Sequence, residues 1–158
     1  MSATISDCRK YRYLLSRPPV SKFPYKGTAL FIMLNPSTAD AEIDDPTIRR
    51  CRGFAEYWSC NGIVVANLYA LRATNPKELW SSPDPVGVSN DVYLINLARE
   101  HETVVFAFGG NAKIDRVKQV YEIFKHRDIL CLGVTKDGMP KHPLYLKGDT
   151  KLIQWSMP

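Results

Sequence analysis

Four short apolar stretches constrain this chain most: residues 29–34 (ALFIML), 63–71 (IVVANLYAL), 103–108 (TVVFAF) and 129–132 (ILCL). They are rich in β-branched or aromatic residues, the composition of strands buried on both faces. Helical patterns lie between them. In 46–61 (PTIRRCRGFAEYWSCN), Ile48, Cys51, Phe54, Ala55 and Trp58 recur at spacings of three or four. Asp45 stands where an N-cap belongs, Pro46 suits the first helical position, and Gly62 fits a left-handed residue past the end. The same periodicity predicts a helix over 89–100 with Val92, Ile95 and Leu97 or Ala98 inward. It predicts another over 112–125, using Ile114, Val117, Val120, Tyr121 and Phe124, and a turn of helix after Asn75-Pro76. Strand–helix alternation implies an α/β fold, a three-layer αβα sandwich around a mainly parallel four-stranded sheet with right-handed crossovers. The partly alternating segment 9–17 (RKYRYLLSR) adds an antiparallel edge strand, and KDG at 136–138 a tight turn. A chain of 158 residues suits one domain, 1–158, with one core.

Apolar residues make up 45% and charged residues 23%, the balance of an ordinary globular protein. No run of eighteen apolar residues occurs, so no membrane partner is expected. The start, MSATISDCRKYRYLL, lacks the apolar core of a secretory signal, which points to the cytoplasm. A net charge of +5 permits a phosphate-rich partner without requiring one. Cys8, Cys51, Cys60 and Cys131 form no C-x-x-C pair and have no His at zinc spacing. Reduced thiols, no metal and no cofactor are expected.

In folds of this class ligands bind beyond the carboxyl ends of the strands, and four loops follow the four strands. The first is Asn35-Pro36-Ser37-Thr38-Ala39-Asp40, continued by Glu42, Asp44 and Asp45. Pro36 holds Asn35 extended at the strand tip. Asp45 reads as a cap, which leaves Asp40 and Asp44 free to face a ligand. The second loop runs from Asn67 through Tyr69, Arg72, Ala73, Thr74 and Asn75. The third, Gly109-Gly110-Asn111, allows close backbone approach and offers helix N–H groups to an anion. It has neither the Lys nor the spacing of a P-loop. The fourth, 135–146 (TKDGMPKHPLYL), carries His142-Pro143. Each loop alone is an ordinary turn former; what suggests function is that all four fall on one side of one sheet.

The ordered motifs FIMLNPSTAD, DDPTIRRC, NLYALRATNP, DPVGVSND, AFGGNA and HPLYL resemble a bacterial and phage family, the domain-of-unknown-function family numbered 1643. The layout is also similar to the uracil-DNA glycosylase superfamily. Met33-Leu34-Asn35-Pro36-Ser37 resembles that superfamily's first-strand motif, in which a carboxylate or amide positions the attacking water. Phe108-Gly109-Gly110-Asn111-Ala112 resembles a later strand end. Lys141-His142-Pro143-Leu144 resembles the last loop, where a His or Asn stabilises the departing base. Asn67-Leu68-Tyr69-Ala70-Leu71-Arg72 resembles the strand supplying base-reading contacts. The chain departs from the pattern in having Ser37 for a Gly and in lacking a Ser-Pro after His142-Pro143. It shows no stacking aromatic in the first loop, for which Tyr69 or Trp80 are the substitutes.

The resemblance implies a protein that recognises a nucleobase or nucleotide, with nucleic acid or a free nucleotide as partner. Cleaving an N-glycosidic bond needs negative charge beside the sugar and donors for the departing base. On that reading Asn35 holds a water, Asp40 or Asp44 supplies the charge, and His142 donates to the base. Pro36, Ser37, Thr38, Tyr69, Gly109, Gly110 and Asn111 line the site. Asn67 and Asn90, with Asp91 beside it, read the base edge, and Arg72 takes a phosphate. Met139, Leu144 and Tyr145 are candidates for a wedge into duplex DNA. Two alternatives stand beside hydrolysis: a module that keeps the pocket and binds a nucleotide without turnover, and a structural domain whose polar loops only turn the chain.

Overall fold

The computed structural model describes all residues, 1–158. Its one sheet has seven strands: β1 (Ser2–Ile5), β2 (Arg12–Arg17), β3 (Ala29–Met33), β4 (Ile63–Asn67), β5 (Thr103–Phe106), β6 (Asp128–Cys131) and β7 (Ile153–Gln154), in the order β1-β2-β4-β3-β5-β6-β7. The four expected strands form its parallel centre, with β3 between β4 and β5 and β6 outside β5. The sheet is therefore mixed and larger than the four-stranded one expected. Segment 9–17 does supply an antiparallel strand, but β2 is not the edge: β1 pairs outside it, and β7 closes the far side. Neither β1 nor β7 carries an apolar run, so composition alone does not reveal them.

The helices are α1 (Pro46–Tyr57), α2 (Lys77–Ser81), α3 (Asn90–Glu100) and α4 (Ile114–Phe124). Alternation along β3 separates two cores. Leu30 and Ile32 join Leu94, Leu97 and Ala98 of α3 and Val117, Val120 and Phe124 of α4. Ala29, Phe31 and Met33 join Ile48, Cys51, Phe54 and Ala55 of α1. Helix α1 thus covers one face and α3 with α4 the other, and each large side chain so buried contributes about 1.5–3 kcal/mol. Three inward assignments need correction. Val92, Ile95 and Ile114 are exposed, and α3 turns Asn90, Leu94, Leu97 and Ala98 inward instead. The apolar count along α3 misleads because its buried stripe begins on a polar residue.

The ends of α1 follow local chemistry. Asp45 caps it, its Oδ1 accepting from the Ile48 N–H at 2.9 Å. At the far end Ser59, with φ 60°, takes the left-handed position expected of Gly62. Ser59 N–H donates to Glu56 O and Cys60 N–H to Ala55 O, the paired bonds of a Schellman ending. Gly62 is left-handed as expected, with φ 77°, but three residues further on, and a Cβ there would also sit 2.2 Å from Arg17 O.

Candidate functional site

At the carboxyl ends of β3 and β4, on the face covered by α1, a cavity of about 250 Å³ opens. Asn35 and Ser37 from the first loop, Asn67 from the tip of β4, Asn111 from the third loop and His142 with Leu144 from the last all line it. The four loops do meet at one hollow, which is smaller than the roughly 300–1,000 Å³ of drug-sized sites and suits a small ligand.

Asn67 is the most telling of these residues. It is 1% exposed, and neither its Oδ1 nor its Nδ2 has a hydrogen-bond partner in the protein. Buried amides are almost always paired, and leaving one unpaired costs about 1–3 kcal/mol. Asn35 is half-buried. Its Nδ2 donates to Ala73 O at 2.8 Å and Pro36 O at 3.0 Å, which leaves Oδ1 as its free acceptor. Leu144 N–H donates to His142 Nδ1 at 3.2 Å. With Nδ1 accepting, a neutral ring carries its proton on Nε2. Burial lowers the His142 pKa, opposed by Asp45, so the neutral ring is favoured.

Two charged residues outside the expected site set also line the cavity. Asp45 uses one carboxylate oxygen as the helix cap while its side chain borders the cavity. Arg12 reaches the cavity from β2, delivered by a bulge: its register with β1 jumps from Leu14 opposite Thr4 to Arg12 opposite Ile5. The extra residue, Tyr13, turns towards Tyr93, and Arg12 falls on the face of Leu15 and Arg17. Because β2 is antiparallel, its first residue lies beside the carboxyl end of β4. A search confined to loops following parallel strands passes over such a residue. The signal in the sequence is faint: Arg12 opens a strand, RYLLSR, that carries a second arginine at its other end.

The other candidates are drawn elsewhere. Asp44 pairs with Arg17 at 2.6 Å and Arg52 at 2.8 Å. Asp40 accepts from the N–H groups of Glu42 and Ile43, the bonds that lower its pKa. Both shape the loop and neither lines the cavity. Pro36 is buried behind the tip and Thr38 faces out. Arg72 is held near the Arg9 carbonyl. Asn90 is fully buried and donates to the carbonyls of Asn67 and Leu68, so it positions the β4 tip. Asp91 pairs with Arg116 at 2.7 Å. Tyr69 and Trp80 meet edge to face on the opposite side of the sheet, around a separate cavity of about 340 Å³ with Lys113 and Arg116. Neither can stack in the Asn67 cavity. Gly109 donates its N–H to Pro140 O, and Gly110 is exposed. Helix α4 begins only at Ile114, so this loop does not present the helix N–H groups to the cavity. Of the wedge candidates Leu144 lines the hollow, Met139 packs on the α3–α4 core, and Tyr145 is 99% exposed with φ 69°.

A larger groove of about 760 Å³ lies at the amino ends of the strands, among Lys26, Trp58, Cys60, His101 and Lys151. None of the unpaired buried polar atoms borders it, which gives the smaller cavity the stronger claim. No group of three or more His, Cys, Asp or Glu side chains is clustered as a metal would need, and no helix is long and apolar enough to cross a membrane. The family model described as Protein of unknown function (DUF1643) matches residues 12–144. No curated protein and no solved structure matches the chain.

Proposed function

The chain belongs to that family, DUF1643, and from its cavity we propose that it recognises a nucleobase and hydrolyses the N-glycosidic bond of a nucleotide or nucleic acid. The observation that carries this reading is the buried, unpaired amide of Asn67. One donor and one acceptor side by side match the edge of a base, and a base seated there would satisfy both. In support, we read the sheet, with α1 on one face and α3 and α4 on the other, as the αβα sandwich of the uracil-DNA glycosylase superfamily, which 33–37 and 141–144 resemble.

The chemistry assigns roles as follows. Asn35 Oδ1 accepts from a water and holds it against the sugar. The Asp45 carboxylate, in place of Asp40 or Asp44, stabilises the positive sugar and takes the water's proton as the C–N bond breaks. His142 Nε2–H donates to the departing base, whose electron pair it stabilises. A positioned donor of this kind is worth about 3 kcal/mol.

The test is release of free base from nucleosides, nucleotides and oligonucleotides carrying common and modified bases. Asp45→Asn is the informative variant because Asn caps helices as well as Asp. It keeps the fold and removes the charge. The expected result is a loss of base release on the order of a hundredfold with ligand-induced thermal stabilisation retained. Free base from no substrate would end the hydrolytic reading. Binding without turnover is the second reading, favoured because Asp40 and Asp44 are both engaged elsewhere. It would then rest on thermal stabilisation by nucleotides alone.

A further inference from the structure

Strand β2 turns two arginines towards α1, and their surroundings differ. Arg17 has a fully covered side chain, and its guanidinium meets the Asp44 carboxylate and the carbonyls of Ser16 and Ile43. Arg12 is 2% exposed but makes one side-chain bond, from Nη1 to Ala39 O at 2.7 Å. Its Nε has no partner, and no carboxylate lies within 4.0 Å of it. A buried charge is retained where something neutralises it, and Arg12 lines the same cavity as Asn67. Burial pushes the guanidinium down to about 10 with Asp45 opposing, so it stays charged at neutral pH.

We propose that Arg12 is an anion-binding residue of this cavity and that the ligand is a nucleoside monophosphate, its terminal phosphate meeting Arg12 while its base meets Asn67. The planar guanidinium with a free Nε edge suits a phosphate oxygen. The geometry selects a terminal phosphate over one within a strand. A phosphodiester must continue at both ends, whereas Arg12 is enclosed and the hollow measures about 250 Å³. The proposal rests on the base-reading role of Asn67 and narrows the substrate to a phosphorylated, chain-terminal nucleotide.

The experiment is calorimetric titration of the intact chain with a nucleoside, its 5′-monophosphate, inorganic phosphate, a dinucleoside monophosphate lacking terminal phosphate, and a short 5′-phosphorylated oligonucleotide. The monophosphate is expected to bind at least tenfold more tightly than the nucleoside, with inorganic phosphate competing. Arg12→Gln is expected to reduce its affinity to that of the nucleoside, and Arg12→Lys to retain part of the gain. Binding of the phosphorylated oligonucleotide would support the same chemistry with a strand end as its source. Equal affinity for nucleoside and monophosphate, or tighter binding of the dinucleoside, would overturn the proposal. These arms use the unaltered protein, so they decide the matter even if Arg12→Gln fails to fold. Asn67→Leu separates the two readings: a nucleoside affinity that falls there while phosphate has no effect refutes the role of Arg12 alone. Phosphate binding indifferent to Asn67 and to base identity refutes the base-reading site instead.

Discussion

Asn67 and His142 are both polar side chains that the fold takes out of water, Asn67 with its amide unpaired and His142 with its charged form disfavoured. Without a ligand the Asn67 amide has no protein partner, and Leu has nearly the same shape without the polar atoms. Asn67→Leu is therefore expected to raise stability by about 1 kcal/mol, an increase in melting temperature of about 2–4 °C, while abolishing stabilisation by nucleotides. Thermal unfolding with and without ligand checks both halves. A lower melting temperature with an intact ligand response would contradict the role given to this side chain. His142 makes the corresponding prediction in pH. Its folded pKa lies below the ordinary 6.5 because burial disfavours the charged ring. The unfolded chain therefore takes up its proton first as pH falls. The stability it contributes is complete above 6.5 and is lost as pH falls through the folded value. Denaturant unfolding between pH 8 and pH 5 should show a smaller acid loss for His142→Gln than for the parent.

At the scale of elements, the loop between β3 and α1 shows why acidic residues there were ambiguous in sequence. Asp40, Asp44 and Asp45 are near neighbours of one chemical type, and their fates depend on distant partners. Arg17, from a strand 27 residues away, takes Asp44; backbone N–H groups take Asp40; the start of α1 turns Asp45 towards the cavity. Asp45 was legible as a cap because a cap is local. Its second role depends on where the strands converge. Asp44→Ala should leave Arg17 buried and uncompensated, destabilising by about 3–5 kcal/mol. Base release per folded molecule should be unchanged. Loss of turnover in a fully folded variant would return Asp44 to the site. The other end of α1 offers the opposite change. Ser59 occupies a left-handed conformation that costs a side-chain-bearing residue roughly 1–2 kcal/mol. Ser59→Gly should recover about 1 kcal/mol in denaturant unfolding, and a destabilised variant would show that the serine side chain does something the backbone does not require.

For the whole molecule, the parallel centre was legible because burial on both faces leaves a compositional mark, whereas β1 and β7 follow from pairing and leave none. The cavity was partly legible for the same reason. Asn35, Asn67 and Asn111 sit at or just past ends set by local apolar runs, but His142 returns through the loop after β6, which bonds to Gly133 and Gly109, and Arg12 arrives through a bulge and an antiparallel pairing that only tertiary structure defines. The lining thus comes from positions spread from Arg12 to Leu144, and no single element can hold a ligand alone. A ligand at 100 times its Kd adds about 2.7 kcal/mol to the folded state, and here that gain must be distributed over all the contributing segments. Hydrogen exchange should therefore slow together at 34–37, 67–76 and 140–146 when a nucleotide is added, while 26–30 and 100–103 around the larger groove keep their rates. Protection confined to the groove would place the ligand at the amino ends of the strands and leave the Asn67 amide unexplained. Protection of one loop alone would mean that the segments meet in space without acting as one site.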